Sequence, residues 1–256
     1  MLELRGISKK FSAFTVVNSV SFTVRPGEVM GYLGPNGAGK TTTIKMLAGL
    51  LEPSKGEILF EGRDIRADIC AYKRRLGYVP EQSDIYPHLS AYDYLVMVGR
   101  LRGMPEQPLK GKILDFLRTF GLDQDMHSPL SSYSKGMRQK VLISSALLHN
   151  PDILLLDEPL SGLDVTAGLV VRDLIQKLAR KNKIIMYSSH VLEVTEKVCS
   201  KVIILHQGNI VANDSVENLR TLMNLPSLAD IFSQLVVHED TGLTADRLIN
   251  AMNEKD

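Results

Sequence analysis

The chain comprises 256 residues, of which 44% are hydrophobic, and its formal net charge is +1. This length suits one large domain, or one domain with a subdomain, and the apolar content is sufficient for a sizeable core. A net charge so close to zero gives no reason to expect binding to nucleic acid or to an anionic membrane by bulk attraction. The two cysteines have no metal-ligand spacing and predict no disulfide framework. No uncharged apolar stretch approaches the ~18 residues of a membrane span, and residues 1–5 lack the pattern of a signal peptide.

Residues 1–33 are predicted to form strands. Apolar residues alternate with charged or polar ones over 2–4 and 20–24, which is typical of antiparallel strands with one buried face. A Pro-Gly turn then leads into an apolar strand over 29–33. Phe11 lies in this region, and an aromatic residue on such a strand is expected in the core.

The next segment, Gly34-Pro35-Asn36-Gly37-Ala38-Gly39-Lys40-Thr41, has the phosphate-binding pattern Gly-x4-Gly-Lys-Thr. Apolar residues at 44, 47, 48 and 51 predict a helix after it, which completes the strand–loop–helix context of the motif. The glycines let backbone N–H groups approach a polyphosphate, and the first helical turn adds free donors and partial positive charge. We expect Lys40 to bind the β- and γ-phosphates and the Thr41 hydroxyl to ligate Mg²⁺. The alternatives are a glycine-rich turn with a solvated lysine, or a dinucleotide site, against which the order of the glycines argues.

Short strands are predicted at 57–60 and 77–79, and a mainly helical subdomain, approximately residues 83–150, is predicted as an insertion into an α/β core. Within it, helical spacing of apolar residues is interrupted by proline-containing breaks. Arginines at 74, 75, 100 and 102 are expected to form a solvated face or, alternatively, a docking surface.

From residue 134 onward, predicted helices and strands alternate, which indicates a parallel, doubly wound sheet. The helices are predicted at 134–149, 167–178 and 191–199, and the strands at 153–157, 184–187 and 201–205, followed by a hairpin turn at 207–209. Residues 213–256 predict short helices packed on the core, with a C-terminal tail over 236–256.

Ligands of such sheets bind beyond the carboxyl ends of the strands, where the phosphate loop, Asp157-Glu158 and His190 are expected to meet. Asp157 ends an apolar strand, the position from which an aspartate holds Mg²⁺ directly or through water. Glu158 is then free to orient and deprotonate a water molecule. Taken alone, the two carboxylates would be surface groups and His190 an ordinary polar residue at a helix start.

Together these residues make the chain resemble the ATP-binding subunits of ABC transporters over about residues 2–235. The resemblance rests on six motifs in the order of the family. They are Walker A at Gly34–Thr42, the Q-loop at Gln82, the signature motif at Tyr133-Ser134-Lys135-Gly136-Met137, Walker B at Asp157-Glu158-Pro159, the D-loop at Ser161-Gly162-Leu163-Asp164, and the switch histidine at His190. The implied fold is the ABC ATPase fold over residues 1–235, an α/β P-loop NTPase core with an antiparallel β subdomain and an inserted α-helical subdomain.

The resemblance also implies roles for individual residues. Phe11 would stack on adenine, which replaces the expectation that it belongs to the core. The ATP-binding residues would be Phe11, Gly34, Pro35, Asn36, Gly37, Ala38, Gly39, Lys40, Thr41, Thr42, Ser134 and Gly136. Mg²⁺ would be held by Thr41, Gln82 and Asp157. Glu158 would be the base, with Gln82 and His190 positioning the water and the γ-phosphate.

The signature segment departs from the commonest form, Leu-Ser-Gly-Gly-Gln, because Lys135 replaces a glycine and Met137 replaces the glutamine. This variant resembles the type-2 exporter branch, whose permeases are separate chains. Ser134 and Gly136 would close over ATP held by another subunit, which implies a head-to-tail homodimer, or a heterodimer with a paralogous ATPase subunit. Ser134 could equally be a helix N-cap, and the two roles are compatible. The implied location is the cytoplasmic face of the cell membrane, through the permease, with no nucleic acid partner.

The sequence argues against three other functions. A non-transport ABC ATPase acting on ribosomes or DNA would carry two cassettes or long coiled coils, and neither pattern is present. The second alternative is a GTPase or a small-molecule kinase. A guanine-binding site would need Asn-Lys-x-Asp, whereas residues 182–185 are Asn-Lys-Ile-Ile. A non-catalytic binding module is disfavoured by the complete set of Asp157, Glu158 and His190.

Overall fold

The computed structural model describes residues 1–82, 85–236 and 252, which form two β-sheets with helices packed against them. The strands are β1 (Leu2–Phe11), β2 (Phe14–Val24), β3 (Val29–Leu33), β4 (Lys55–Phe60), β5 (Arg63–Asp64), β6 (Leu76–Val79), β7 (Ile153–Asp157), β8 (Ile184–Ser188), β9 (Lys201–His206) and β10 (Asn209–Ser215). The helices are α1 (Lys40–Leu47), α2 (Ile69–Arg74), α3 (Ala91–Leu101), α4 (Glu106–Thr119), α5 (Lys135–Leu147), α6 (Val165–Arg180), α7 (Leu192–Val198), α8 (Val216–Met223) and α9 (Leu228–Val236).

The first sheet is antiparallel, with strand order β2-β1-β4-β5. Leu2 and Leu4 of β1 are buried, while Glu3 between them is only half-buried. The alternation over residues 2–4 therefore marks one buried face, as predicted from the sequence.

The second sheet has the order β10-β9-β3-β8-β7-β6, and its neighbours from β9 to β6 pair in parallel. Strand β3 lies at the centre between β9 and β8 and is buried along its whole length. Because parallel strands end at the same edge, the segments that follow β3, β6, β7 and β8 come together there. This edge is where the sequence predicted the site.

The parallel sheet is buried on both faces, which explains its uninterrupted apolar strands. In β7, Ile153 and Leu155 belong to the core shared with the antiparallel sheet and α1. Leu154 and Leu156, which point the other way, belong to the core formed with α5 and α6.

Helices α3, α4 and α5 occupy the chain between β6 and β7, where the sequence predicted helices. The domain limits 1–235 and 83–150 stay predictions. Of the predicted tail, 236–256, only residues 236 and 252 lie within the described part of the chain. No helix found in that part is both long and apolar enough to cross a bilayer.

Two helix boundaries are set by features other than the spacing of apolar residues. Helix α1 ends at Leu47, although apolar spacing continued to residue 51, because Gly49 takes a left-handed conformation with φ of 64°. Helix α5 starts at Lys135, and the Ser134 hydroxyl caps it by accepting a hydrogen bond of 3.2 Å from the Met137 N–H.

Two of the predicted basic residues are paired within the chain. Arg75 contacts Glu61 at 2.7 Å and Asp152 at 2.6 Å, and Arg100 contacts Glu106 at 2.6 Å. Both arginines remain partly exposed, as a solvated face requires, whereas Arg102 is half-buried and donates to the Lys73 carbonyl oxygen, so the expectation fails there.

Candidate functional site

A cleft of about 220 Å³ opens at the carboxyl edge of the parallel sheet. It is lined by Val16, Asn36, Gly37, Gly39, Lys40, Thr41, Thr42, Glu81, Asp157, Glu158 and His190. The phosphate loop, the two carboxylates after β7 and the histidine after β8 therefore meet as the strand order predicted.

The phosphate loop is held between β2 and β9 by close backbone contacts. A Cβ atom on Gly34 would lie 2.4 Å from the Leu205 carbonyl oxygen, and one on Gly39 would lie 2.7 Å from the Val16 carbonyl oxygen. Gly39 also has a backbone φ of 103°, which residues other than glycine rarely adopt. These contacts fix the loop so that the first turn of α1 faces the cleft.

Lys40, the first residue of α1, turns its ammonium group back onto this loop. Nζ donates to the carbonyl oxygens of Gly34 at 2.6 Å and Pro35 at 3.1 Å. Burial lowers the pKa of Lys40, and the negative charges of Glu158, Asp157 and Glu81 oppose that shift. A cation is thus placed at the mouth of the loop, beside three carboxylates.

Asp157 is the buried carboxylate of the site, with 1% of its surface exposed. Burial raises the pKa of Asp157, an effect that the neighbouring hydroxyls of Ser188 and Thr41 partly offset. Its Oδ2 atom has no hydrogen-bond partner among the residues that the structure describes. A buried carboxylate oxygen without such a partner, on a residue that lines the cleft, is suited to a cation or to an ordered water molecule.

Glu158 follows directly and is held from two sides. Its Oε1 lies 2.8 Å from Nδ1 of His190, and its Oε2 accepts a hydrogen bond of 3.2 Å from the Ser189 hydroxyl. Its backbone has φ of 50°, and its N–H donates to the Ser188 carbonyl oxygen. The sequence placed Ser189 beside His190 but assigned it no role, because its contact with Glu158 joins residues far apart in the chain.

Glu81 lines the cleft and the Q-loop residue Gln82 does not, although both side chains are exposed. The Glu81 Oε2 lies 3.5 Å from the Thr41 hydroxyl. Glu81, one residue earlier, is therefore an alternative to Gln82 for the predicted contact with Mg²⁺. A cue was present in the sequence, because Glu81 directly follows Pro80 and a short strand.

Several predicted ATP-binding residues lie outside the lining of the cleft. Phe11 is 45% exposed on the β1–β2 hairpin, 5.2 Å from the Lys9 ammonium, so its initial assignment to the core is wrong. Gly34, Pro35 and Ala38 belong to the phosphate loop but do not line the cleft.

Ser134 and Gly136 are also absent from the cleft lining, and they lie at the start of α5. Ser134 is exposed and Gly136 is half-buried. Their predicted contact with ATP therefore needs a site other than the cleft of their own chain.

A larger cleft, of about 630 Å³, lies between α4 and α6. It borders Pro151 and Lys183, near the amino ends of β7 and β8, and contains none of the predicted site residues. The chemistry therefore belongs to the smaller cleft, where the charged groups converge.

Comparisons with known proteins agree with this geometry. A family model described as ABC transporter matches residues 17–161. The chain is 38% identical over 242 residues to the ABC transporter ATP-binding protein NatA of Bacillus subtilis (strain 168), covering 93% of this chain and 98% of that protein. It is 34% identical over 211 residues to the Nod factor export ATP-binding protein I of Burkholderia lata, covering 82% and 69%.

A solved structure of the ATP-binding subunit of an ABC transporter superposes with a TM-score of 0.86 at 32% identity, covering 92% of this chain and 99% of that one. The predicted fold class, a P-loop ABC ATPase, and the predicted activity, ATP hydrolysis coupled to transport, are confirmed. The chain belongs to the ABC transporter family, as an ATP-binding subunit that hydrolyses ATP.

Proposed function

We propose that this chain powers export through a separate membrane permease, which it contacts from the cytoplasmic face of the cell membrane. Support for export comes from the signature variant at 133–137 and from a relative that is named for Nod factor export. The working unit contains two ATPase subunits, either two copies of this chain or one copy with a paralogue.

The observation that carries the ATP-hydrolysing part of the proposal is the orientation of Glu158. Its carboxylate faces the same cleft as Lys40, held by His190 at 2.8 Å and Ser189 at 3.2 Å. Glu158 accepts a proton from a water molecule as the water oxygen bonds to the γ-phosphorus. The bond from that phosphorus to the β–γ bridging oxygen breaks, and its electron pair leaves with ADP.

The residues around Lys40 hold the triphosphate. The ammonium of Lys40 exchanges its contacts with Gly34 and Pro35 for phosphate oxygens, and the loop amides with the first turn of α1 complete the anion site. Thr42 and Asn36 line the same cleft. Phe11, exposed on the neighbouring hairpin, stacks on the adenine ring.

The residues present fit a magnesium ion, because Asp157 offers a buried oxygen that has no partner within the described chain. Thr41, Asp157 and Glu81 are the residues that would hold it, with Glu81 in the place that the resemblance gave to Gln82. Bound Mg²⁺ supplies positive charge to the β- and γ-phosphate oxygens.

Ser134 and Gly136 complete the site of a second subunit. Each chain then contributes Walker A and Glu158 to one ATP and its signature segment to the other. ATP closes the pair and hydrolysis reopens it, which moves the permease.

The experiment is the substitution Glu158→Gln, which keeps the shape of the side chain and removes the base. We expect ATP-dependent dimers that turn over roughly 10²- to 10⁴-fold more slowly than the parent. Hydrolysis and dimerisation are measured on the same sample. The matched control is Glu217→Gln, an exposed glutamate of α8 outside the cleft, which should hydrolyse ATP like the parent. Near-parental hydrolysis by Glu158→Gln would refute its role as the base.

A further inference from the structure

The start of α5 is fastened to the segment that links β7 to α6, residues 158–164, called the linking loop below. The Lys135 ammonium donates a hydrogen bond of 2.7 Å to the Ser161 hydroxyl. One turn later, the buried side chain of Gln139 donates to the Pro159 carbonyl oxygen at 3.0 Å, and Lys140 lies 3.5 Å from Asp164. Lys135 and Gln139 share one face of α5 because they lie four residues apart, and Lys140 is the next residue along the helix.

Two glycines bring the same pair of segments into backbone contact. A Cβ atom on Gly136 would lie 2.4 Å from the Gly162 carbonyl oxygen. Gly162, which has φ of 78°, lies under the aliphatic stem of Lys135, and a Cβ atom there would be 2.9 Å from the Cγ of that lysine. The stem of Lys135 therefore packs on the linking loop while its charged end reaches Ser161.

The linking loop begins at the proposed base. The Ser161 N–H donates to the Glu158 carbonyl oxygen at 3.1 Å, so Ser161 is one short turn away from Glu158. A lysine at the first position of a helix is disfavoured by the helix dipole, and a partner that accepts from its ammonium compensates for that placement. Lys135 is thus already engaged within its own chain.

We propose that Lys135 is a positioning residue, which sets the signature segment against the linking loop through Ser161 so that Ser134 and Gly136 are presented to the second subunit. This inference rests on the proposed function, because it concerns the shared site. Its competitor is direct contact between the Lys135 ammonium and a phosphate of the ATP bound by the partner. The two hypotheses predict different effects of removing the Ser161 hydroxyl. Positioning requires that hydroxyl as much as the Lys135 ammonium, whereas direct contact with phosphate does not require it.

The test uses Lys135→Met, Ser161→Ala and the double substitution, each made in the Glu158→Gln chain, whose ATP-dependent dimerisation is measured by analytical ultracentrifugation. We expect each single change to weaken dimerisation about three- to tenfold, as for a partly exposed hydrogen bond to a charged group. The double variant should dimerise no more weakly than the more impaired single variant, because both changes remove the same interaction. Affinity of the isolated subunit for ATP should not change, and Lys135→Arg should restore dimerisation.

Three results would overturn the inference while leaving the shared site intact. If Ser161→Ala dimerises like its parent while Lys135→Met does not, the lysine acts on phosphate directly. If both single variants dimerise like the parent, the contact has no positioning role. If the losses add in the double variant, the two residues act separately. Failure of the Glu158→Gln parent itself to dimerise would instead refute the proposed shared site, and the inference with it. Circular dichroism establishes that each variant is folded.

Discussion

At the scale of single residues, two neighbours that follow β6, Glu81 and Gln82, are candidates for the same contact in the site. Both side chains are exposed, but Glu81 lines the cleft, 3.5 Å from the Thr41 hydroxyl, and Gln82 does not. The two residues lie in a bend after the strand, so the lining of the cleft alone distinguishes them. The proposed magnesium contact therefore falls to Glu81.

We predict that Glu81→Ala raises the Mg²⁺ concentration needed for half-maximal ATPase activity by about tenfold, the effect expected when one charged ligand is lost. Gln82→Ala is the matched control and should leave that concentration within twofold of the parent's. The measurement is an ATPase titration with Mg²⁺ at saturating ATP. The opposite order, with Gln82→Ala the more impaired variant, would return the role to Gln82.

The sequence predicted Lys40, Thr41, Asp157, Glu158 and His190 in one cleft because each follows or begins an element at a known edge of the sheet. The one cue to Glu81 over Gln82 was its position directly after Pro80, which does not show where either side chain points. The contact of Ser189 with Glu158 was likewise invisible. It depends on the distance between two loops that no local pattern reports.

At the scale of elements, the distance between α5 and the sheet depends on a glycine. Gly77 lies in β6, and a Cβ atom there would be 2.4 Å from the Ala146 carbonyl oxygen of α5. Backbone cannot move aside as a side chain can, so any larger residue pushes α5 away from β6. Because α5 carries the signature segment, its seating on the sheet bears on both stability and function.

We predict that Gly77→Ala lowers the free energy of unfolding by about 1–3 kcal/mol, as is usual for overpacking. The control is Gly168→Ala in α6, where a Cβ atom meets nothing within 4 Å. That change should raise the free energy of unfolding, by up to ~1 kcal/mol, because alanine favours the helix. Urea denaturation of both variants measures the effect. Equal stabilities, or a more stable Gly77→Ala, would show that α5 is not held this closely.

Element types followed well from the sequence, because period-2 alternation in β1 and the apolar run of β7 reflect one buried face and two buried faces respectively. The end of α1 did not, since apolar spacing ran on past Gly49 to Leu51. The fastening of α5 to the linking loop could not be predicted either. Its contacts join residues 26 and 20 positions apart through side chains that are ordinary in each segment alone.

At the scale of the whole molecule, the site is divided between two faces. The cleft holds Lys40, Asp157 and Glu158, whereas Ser134 and Gly136 lie outside its lining. The chain is confirmed as an ATP-hydrolysing member of its family, and the central proposal is that each ATP needs residues from two subunits. A symmetric pair then has two such sites, each formed by the phosphate loop and base of one subunit and the signature segment of the other.

The most direct test mixes two inactive variants, Lys40→Ala and Ser134→Arg. A mixed dimer keeps one intact site, formed by the loop and base of the Ser134→Arg chain with the signature of the Lys40→Ala chain. Random pairing in an equal mixture should restore up to about a quarter of the parental ATPase rate per subunit. Mixing Lys40→Ala with Glu158→Gln should restore none, because both changes damage the same half of a site. Equal restoration in both mixtures, or none in the first although mixed dimers form, would contradict the shared site.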